Sequence, residues 1–209
     1  MVRVIIADDH PLMREGIKRV VSGAGGMEVV AEAGDGDRLL AAVADVSADV
    51  VLLDISMPGM GCLEILRRLR AEHARLGVVV LTAHAEEGYA VRMLRAGASA
   101  FLTKGCPPAE LTEAIRRAAE GRRYVSASTA EKLADALGGD AAAPHAALSD
   151  REFEVLRLMA KGLGVKQIAA RLGISPKTVG TYRSRIREKL GVRSFTEALR
   201  YALREGLDE

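Results

Sequence analysis

The sequence predicts an α/β domain built on a five-stranded parallel sheet, followed by a smaller all-helical domain. Three observations carry that expectation. Residues 2–120 alternate short apolar runs with amphipathic stretches, the pattern of βα units whose parallel strands need helical crossovers. From Leu148 onward the periodicity is helical, with no strand signal. The charge also changes sign along the chain: residues 1–144 carry 17 Lys and Arg against 20 Asp and Glu, and residues 145–209 carry 13 against 8. An acidic front and a basic back point to two modules, the second facing a polyanion.

At 209 residues, 49% hydrophobic and 28% charged, the chain can bury two cores and keep charged surfaces. No run approaches the ~18 apolar residues of a membrane span. The N-terminus reads as a strand that turns acidic at Asp8, and not as a signal peptide. Cys62 and Cys106 form no CxxC pair and no framework, as expected of thiols in a reducing cytoplasm. His10, His73, His84 and His145 lack zinc-ligand spacing, so no zinc site is expected.

In chain order, strands are expected over Val2–Ala7, Glu28–Ala33, Val50–Asp54, Val78–Thr82 and Ala98–Leu102. Helices are expected near 11–22, 36–46, 62–73, 86–96 and 107–120, the last opening on Pro107-Pro108, where no intrahelical donor is lost. Residues 1–120 make the first domain. Residues 121–146 form a linker with one further helix near 126–137 and a breaker-rich stretch, Gly138-Gly139-Asp140-Ala141-Ala142-Ala143-Pro144. Residues 147–209 make the second domain. Its first helix carries a Ser149/Glu152 capping box and ends before Gly162. Helices follow over Val165–Leu172, from the N-cap Ser175 with Pro176 behind it to about Leu190, and over roughly Ser194–Glu205.

Val50–Leu53 is a continuous aliphatic run, as a strand covered on both faces requires, and it ends on Asp54. Asp8 and Asp9 end the first strand in the same way. In a doubly wound order such as 2-1-3-4-5, strands one and three are neighbours, and ligands bind at their carboxyl ends. Converged like charges repel unless a cation sits among them, and a few hard oxygen donors suit Mg2+. Thr82 ends strand four, and Lys104 follows strand five. A hydroxyl and an ammonium at the same edge are groups that hold a phosphoryl oxygen and offset its charge.

In the second domain, the stretch from Val165 to Val179 outlines two helices meeting at a glycine turn, a helix-turn-helix. Val179, Tyr182, Ile186 and Leu190 share the core face of its second helix. Lys177, Thr181, Ser184 and Glu188 lie opposite, flanked by Gly180, Arg185 and Arg187. Seven basic side chains against one acid in residues 166–189 suit a salt-dependent hold on double-stranded DNA. Ala198, Leu199, Ala202 and Leu203 make a mostly core stripe on the final helix.

Asp8-Asp9, Asp54-x-x-Met57-Pro58-Gly59, Thr82 and Lys104 resemble the receiver domain of bacterial response regulators. The segment from Leu148-Ser149-Asp150-Arg151-Glu152 to Lys189-Leu190 resembles the LuxR-type DNA-binding domain. Together, over nearly all 209 residues, they resemble the NarL/FixJ family of two-component response regulators, closest to its GacA/UvrY branch. The resemblance implies a flavodoxin-like (βα)5 receiver followed by a four-helix helix-turn-helix domain. It implies that Asp54 accepts a phosphoryl group from a sensor histidine kinase or phosphotransfer domain, and that the protein modifies only itself. It further implies Mg2+ on Asp9, Asp54 and the Ser56 carbonyl, with Asp8 acting through water. Lys104 then pairs with the phosphoryl group, while Thr82 and the switch aromatic Phe101 move inward.

On the DNA side, base reading is expected of Lys177, Thr181, Ser184 and Arg185 and phosphate contact of Lys166, Arg183 and Arg187, while Gly180 lets the backbone come close to DNA and Thr178 belongs to the same DNA-binding set. The resemblance implies homodimers on promoter half-sites, with RNA polymerase a further partner. Ser56 and His84 occupy positions that tune phosphoryl lifetime in receivers. Gly61-Cys62 replaces a common Asp-Gly or Asn-Gly pair, and Gly105 stands where a proline is common. A competing reading makes the receiver a dimerisation scaffold for phosphorylation-independent DNA binding. An aspartyl-phosphate phosphatase of the haloacid dehalogenase type would need a second Asp two residues after the nucleophile, where Ser56 stands. A quorum-sensing receptor would need an aromatic-rich pocket, and aromatics are 3%.

Overall fold

The computed structural model describes residues 1–83, 87–126 and 144–207, which fall into two compact units. His84 and most of the helix expected near 126–137 lie outside the described residues.

In the first unit, β1 (Val2–Ala7), β2 (Met27–Ala33), β3 (Val50–Asp54), β4 (Gly77–Thr82) and β5 (Ala100–Thr103) alternate with α1 (Pro11–Gly23), α2 (Gly36–Asp45), α3 (Cys62–Glu72), α4 (Glu87–Arg95) and α5 (Pro108–Ala119). The sheet is parallel, in the order β2-β1-β3-β4-β5. The period-two alternation of strands divides the core. Val4, Ile6, Val50, Leu52, Val79, Leu81, Ala100 and Leu102 pack with Ile17, Val21, Leu111 and Ile115 of α1 and α5. The alternate set, Ile5, Val51, Leu53, Val80 and Phe101, is equally buried, which is why β3 reads as an unbroken apolar run. Gly77 starts β4 because α5 passes too close for a side chain: a Cβ there would lie 2.7 Å from the Ala118 carbonyl oxygen.

The packed chain of this unit runs past Glu120. Tyr124 bridges to Ala100, and its N–H donates to the Ser99 carbonyl at 2.8 Å, giving the outer edge of β5 a partner for its backbone. The stretch expected to be linker from residue 121 therefore begins as part of the sheet edge.

The described residues of the second unit begin with a short 3-10 helix, Pro144–Ala147. His145 Nδ1 lies 2.7 Å from the Tyr201 hydroxyl, which holds this segment to the final helix. Four helices follow: α6 (Asp150–Ala160), α7 (Val165–Leu172), α8 (Pro176–Lys189) and α9 (Phe195–Arg204). Their shared core contains Phe153, Leu156, Ile168, Val179, Ile186, Ala198 and Ala202. The expected Ser149/Glu152 capping box is present on both sides. No helix among the described residues is long and apolar enough to cross a membrane.

Candidate functional site

The carboxyl ends of the strands are tied together by backbone bonds. Asp8 N–H donates to Ala33 O at 3.0 Å, Ile55 N–H to Leu81 O at 3.1 Å, and Lys104 N–H to Thr82 O at 2.6 Å. These bonds hold Asp8, Asp54, Thr82 and Lys104 at one edge. Asp8 and Asp54 are 1% exposed and Thr82 is 4% exposed. Lys104 Nζ sits between the two carboxylates, 2.8 Å from Asp8 Oδ2 and 3.0 Å from Asp54 Oδ2. These are ion-pair contacts, and a backbone hydrogen bond from Ser56 also favours the ionised Asp54 carboxylate. Asp9 is half-buried beside them, and Phe101 is buried on β5. Beyond Asp54, Met57 is buried and Gly59 turns the loop at φ 88°, a backbone that glycine adopts without strain.

Burial raises the Asp54 carboxyl, and the pull of Lys104 only partly counters it while Asp8 adds repulsion. For Lys104, burial works against the ammonium, but its contacts with Asp8 and Asp54 outweigh burial and hold its pKa above the ordinary value. The site is therefore short of positive charge: one ammonium serves two buried carboxylates, with a third beside them.

Among the described residues, the groups placed to hold a metal ion are Asp8, Asp9, Asp54 and His10, with donor atoms all within 4.8 Å of one another. His10 was not singled out by spacing, because its partners come from its own two predecessors and from a distant strand. The signal present in the sequence was its place directly after Asp8-Asp9.

In the second unit, α7 ends in a left-handed cap at Gly173 (φ 63°), and the Ile174 N–H returns to Ala169 O at 2.9 Å. The Ser175 hydroxyl caps α8 by accepting from Thr178 N–H at 3.1 Å. Lys177, Gly180, Thr181, Ser184, Arg185 and Arg187 on α8 are exposed, as is Lys166 on α7. A Cβ at Gly180 would meet nothing within 4 Å. Thr181 Oγ1 donates to Lys177 O at 3.2 Å and Ser184 Oγ to Gly180 O at 3.3 Å, so each hydroxyl oxygen faces outward as an acceptor.

Two residues sit apart from that exposed face. The Arg183 guanidinium carbon lies 4.5 Å over the Phe195 ring, with Nε buried. At 100° per residue Arg183 falls beside Val179 and Ile186, so its side chain belongs to the packing between α8 and α9. Thr178 is half-buried with its hydroxyl 2.8 Å from Ser175 Oγ. The α9 stripe also divides: Ala198 and Ala202 are fully buried, whereas Leu203 is 51% exposed.

Sequence spacing did not reveal the pair that fixes α8. Lys189 Nζ donates to Glu152 Oε2 at 2.6 Å, and the Ser149 N–H donates to the same oxygen at 2.7 Å. Burial would raise the Glu152 carboxyl, but Lys189 and Ser149 hold it below the ordinary value.

Residues 4–116 match the family model of the response regulator receiver domain, and residues 146–202 match that of bacterial regulatory proteins of the luxR family. Response regulator UvrY of Escherichia coli K12 is 36% identical over 209 residues, covering 99% of this chain and 96% of its own. Response regulator GacA of Pseudomonas viridiflava is 39% identical, covering 99% and 98%. Among solved structures, RcsB of Salmonella enterica serovar Typhimurium bound to promoter rprA with phosphomimetic BeF3- superposes with a TM-score of 0.74 at 28% identity. That match covers 96% of this chain and 97% of RcsB.

Proposed function

Because the chain belongs to the response regulator family, as a receiver joined to a LuxR-type DNA-binding domain, we propose that Asp54 is its phosphoryl acceptor and α8 its DNA-reading helix. The observation that carries this reading is the 1%-exposed Asp54 carboxylate, which lies 3.0 Å from Lys104 Nζ and beside Asp8 and Asp9 at the carboxyl edge of a parallel sheet.

In the reaction, an Asp54 oxygen attacks the phosphorus of a phosphohistidine on a sensor kinase or phosphotransfer domain. A P–O bond forms, the P–N bond breaks, and its electron pair leaves on the imidazole nitrogen. Lys104 is positioned to transfer its ion pair from Asp54 to a phosphoryl oxygen, and Thr82, at the end of the adjacent β4, presents its hydroxyl to the same group. Asp8, Asp9, Asp54 and the Ser56 carbonyl would hold Mg2+, and three converged carboxylates served by one ammonium fit a hard cation. Such an ion supplies charge neutralisation on the transferring group. The receiver acts only on itself, so it is a switch and not an enzyme with an external product.

The acyl phosphate adds negative charge and biases Thr82 and Phe101 inward, shifting an existing equilibrium between two receiver states. The output is DNA binding as a homodimer on promoter half-sites. Lys177, Thr181, Ser184 and Arg185 face bases, Lys166 and Arg187 face phosphates, and Leu203 offers apolar surface for a second copy. RNA polymerase is a further partner, and the cytoplasm is the setting.

Incubation of the full chain with acetyl phosphate and Mg2+ tests the receiver chemistry. One HPO3 group should be gained by the wild type and not by Asp54→Ala, and borohydride should reduce the acyl phosphate at position 54 to homoserine with release of phosphate. Unchanged mass in the wild-type chain, or equal labelling of Asp54→Ala, refutes the assignment.

A further inference from the structure

His10 closes the acidic cluster on its solvent side. Its Nδ1 lies 2.9 Å from Asp9 Oδ1 and 3.3 Å from Asp8 Oδ1, and its side chain is 66% exposed. The backbone fixes it there: the His10 N–H donates to Asp8 Oδ1 at 2.8 Å. Although His10 is the N-cap residue of α1, its side chain makes no capping bond, so the ring is not committed to the helix. Below it, Asp54 is 1% exposed, and its donor oxygen lies within 4.8 Å of those of Asp8 and Asp9 and of the His10 ring nitrogen. Neighbouring donors around an octahedral ion with bonds of ~2.1 Å stand about 3 Å apart. The two Nδ1-to-carboxylate separations bracket that spacing.

Oxygen donors alone suit Mg2+, which prefers hard ligands and keeps its waters. An imidazole nitrogen shifts the preference toward borderline ions along the Irving–Williams order. Resting on the reading of the acidic cluster as a cation site, we infer that His10 Nδ1 is a direct ligand of the bound ion. It gives this chain a mixed oxygen–nitrogen site that favours Mn2+ and Co2+ over Mg2+. The competing role for His10 is a hydrogen-bonded partner of Asp9 that never touches the ion.

Mn2+ titrated into the full-length chain and examined by pulsed electron paramagnetic resonance reads the bond itself. Nitrogen modulation from a coordinated imidazole is expected in the wild type and absent in His10→Ala. Calorimetric titrations with Mg2+, Mn2+ and Co2+ accompany it, with folding of each variant checked by circular dichroism. His10→Ala should lose about tenfold or more in Mn2+ and Co2+ affinity and keep Mg2+ affinity within about twofold. Mn2+ bound without nitrogen modulation, or affinities that fall equally for all three ions, overturns the His10 assignment while leaving the cation site standing. Failure of Asp54→Ala to weaken any ion, or no binding by the wild type at millimolar concentration, overturns the cation site and the His10 assignment together.

Discussion

Lys189→Met isolates the pair that fixes the end of α8. Methionine keeps the apolar stem but removes the ammonium 2.6 Å from Glu152 Oε2, leaving a carboxylate 3% exposed that is held by hydrogen bonds from Ser149 without a counter-charge from Lys189. Breaking a fully buried pair on one side costs roughly 3–5 kcal/mol. Lys189 is 39% exposed and water reaches it, so a loss of about 2 kcal/mol is expected. That corresponds to roughly 30-fold faster exchange of the most protected amides. Hydrogen exchange of the full chain, read on peptides from α6 and α8, measures it without requiring a single unfolding transition for two domains. Glu152 has a folded pKa below its ordinary value of 4.5. Its stabilising share is therefore present above that value and lost as pH falls through the folded pKa. In Lys189→Met, burial instead raises the Glu152 carboxyl, so acid neutralises the uncompensated charge. The deficit of the variant should be full at pH 7 and smaller at pH 4. Exchange within twofold of wild type at pH 7, or an equal deficit at both pH values, would refute the charge-pair argument.

Asp54→Asn removes one of three converged carboxylates, so in chelator it should raise the melting temperature of the receiver, and added Mg2+ should then stabilise the wild type but not the variant; a lower melting temperature in chelator contradicts this. Arg187→Met, on the exposed face, should reduce the salt dependence of DNA binding by about one ion. Arg183→Met should leave that slope unchanged and instead speed amide exchange in α9, because its guanidinium stacks on Phe195; a slope reduced in both variants would return Arg183 to the phosphate contacts.

The receiver was legible because its strands obey simple rules. The unbroken apolar run of β3 exists because helices cover both faces, and Asp8, Asp9, Asp54, Thr82 and Lys104 all stand at strand ends, where chain order alone brings them together. Strand limits moved by at most two residues, as at β5, which spans Ala100–Thr103 and not Ala98–Leu102. Gly77 joins β4 by pairing with Val50, and glycine is required there by the passage of Ala118, a long-range contact invisible in its neighbours. The features missed are contacts between residues far apart in sequence: Tyr124 on the β5 edge, His145 on Tyr201, and Lys189 on Glu152. Arg183 carries two signals that point apart. Its charge points to phosphate, whereas the helical period sets it beside Val179 and Ile186, where it stacks on Phe195.

In the proposed switch, a phosphoryl group on Asp54 controls DNA binding by α8. The most direct test is occupancy of genomic DNA fragments by the full chain with and without acetyl phosphate, repeated for Asp54→Ala. Tighter, donor-dependent binding at discrete sites by the wild type, with none of that gain in Asp54→Ala, is the predicted result. Identical occupancy in all these conditions would contradict it.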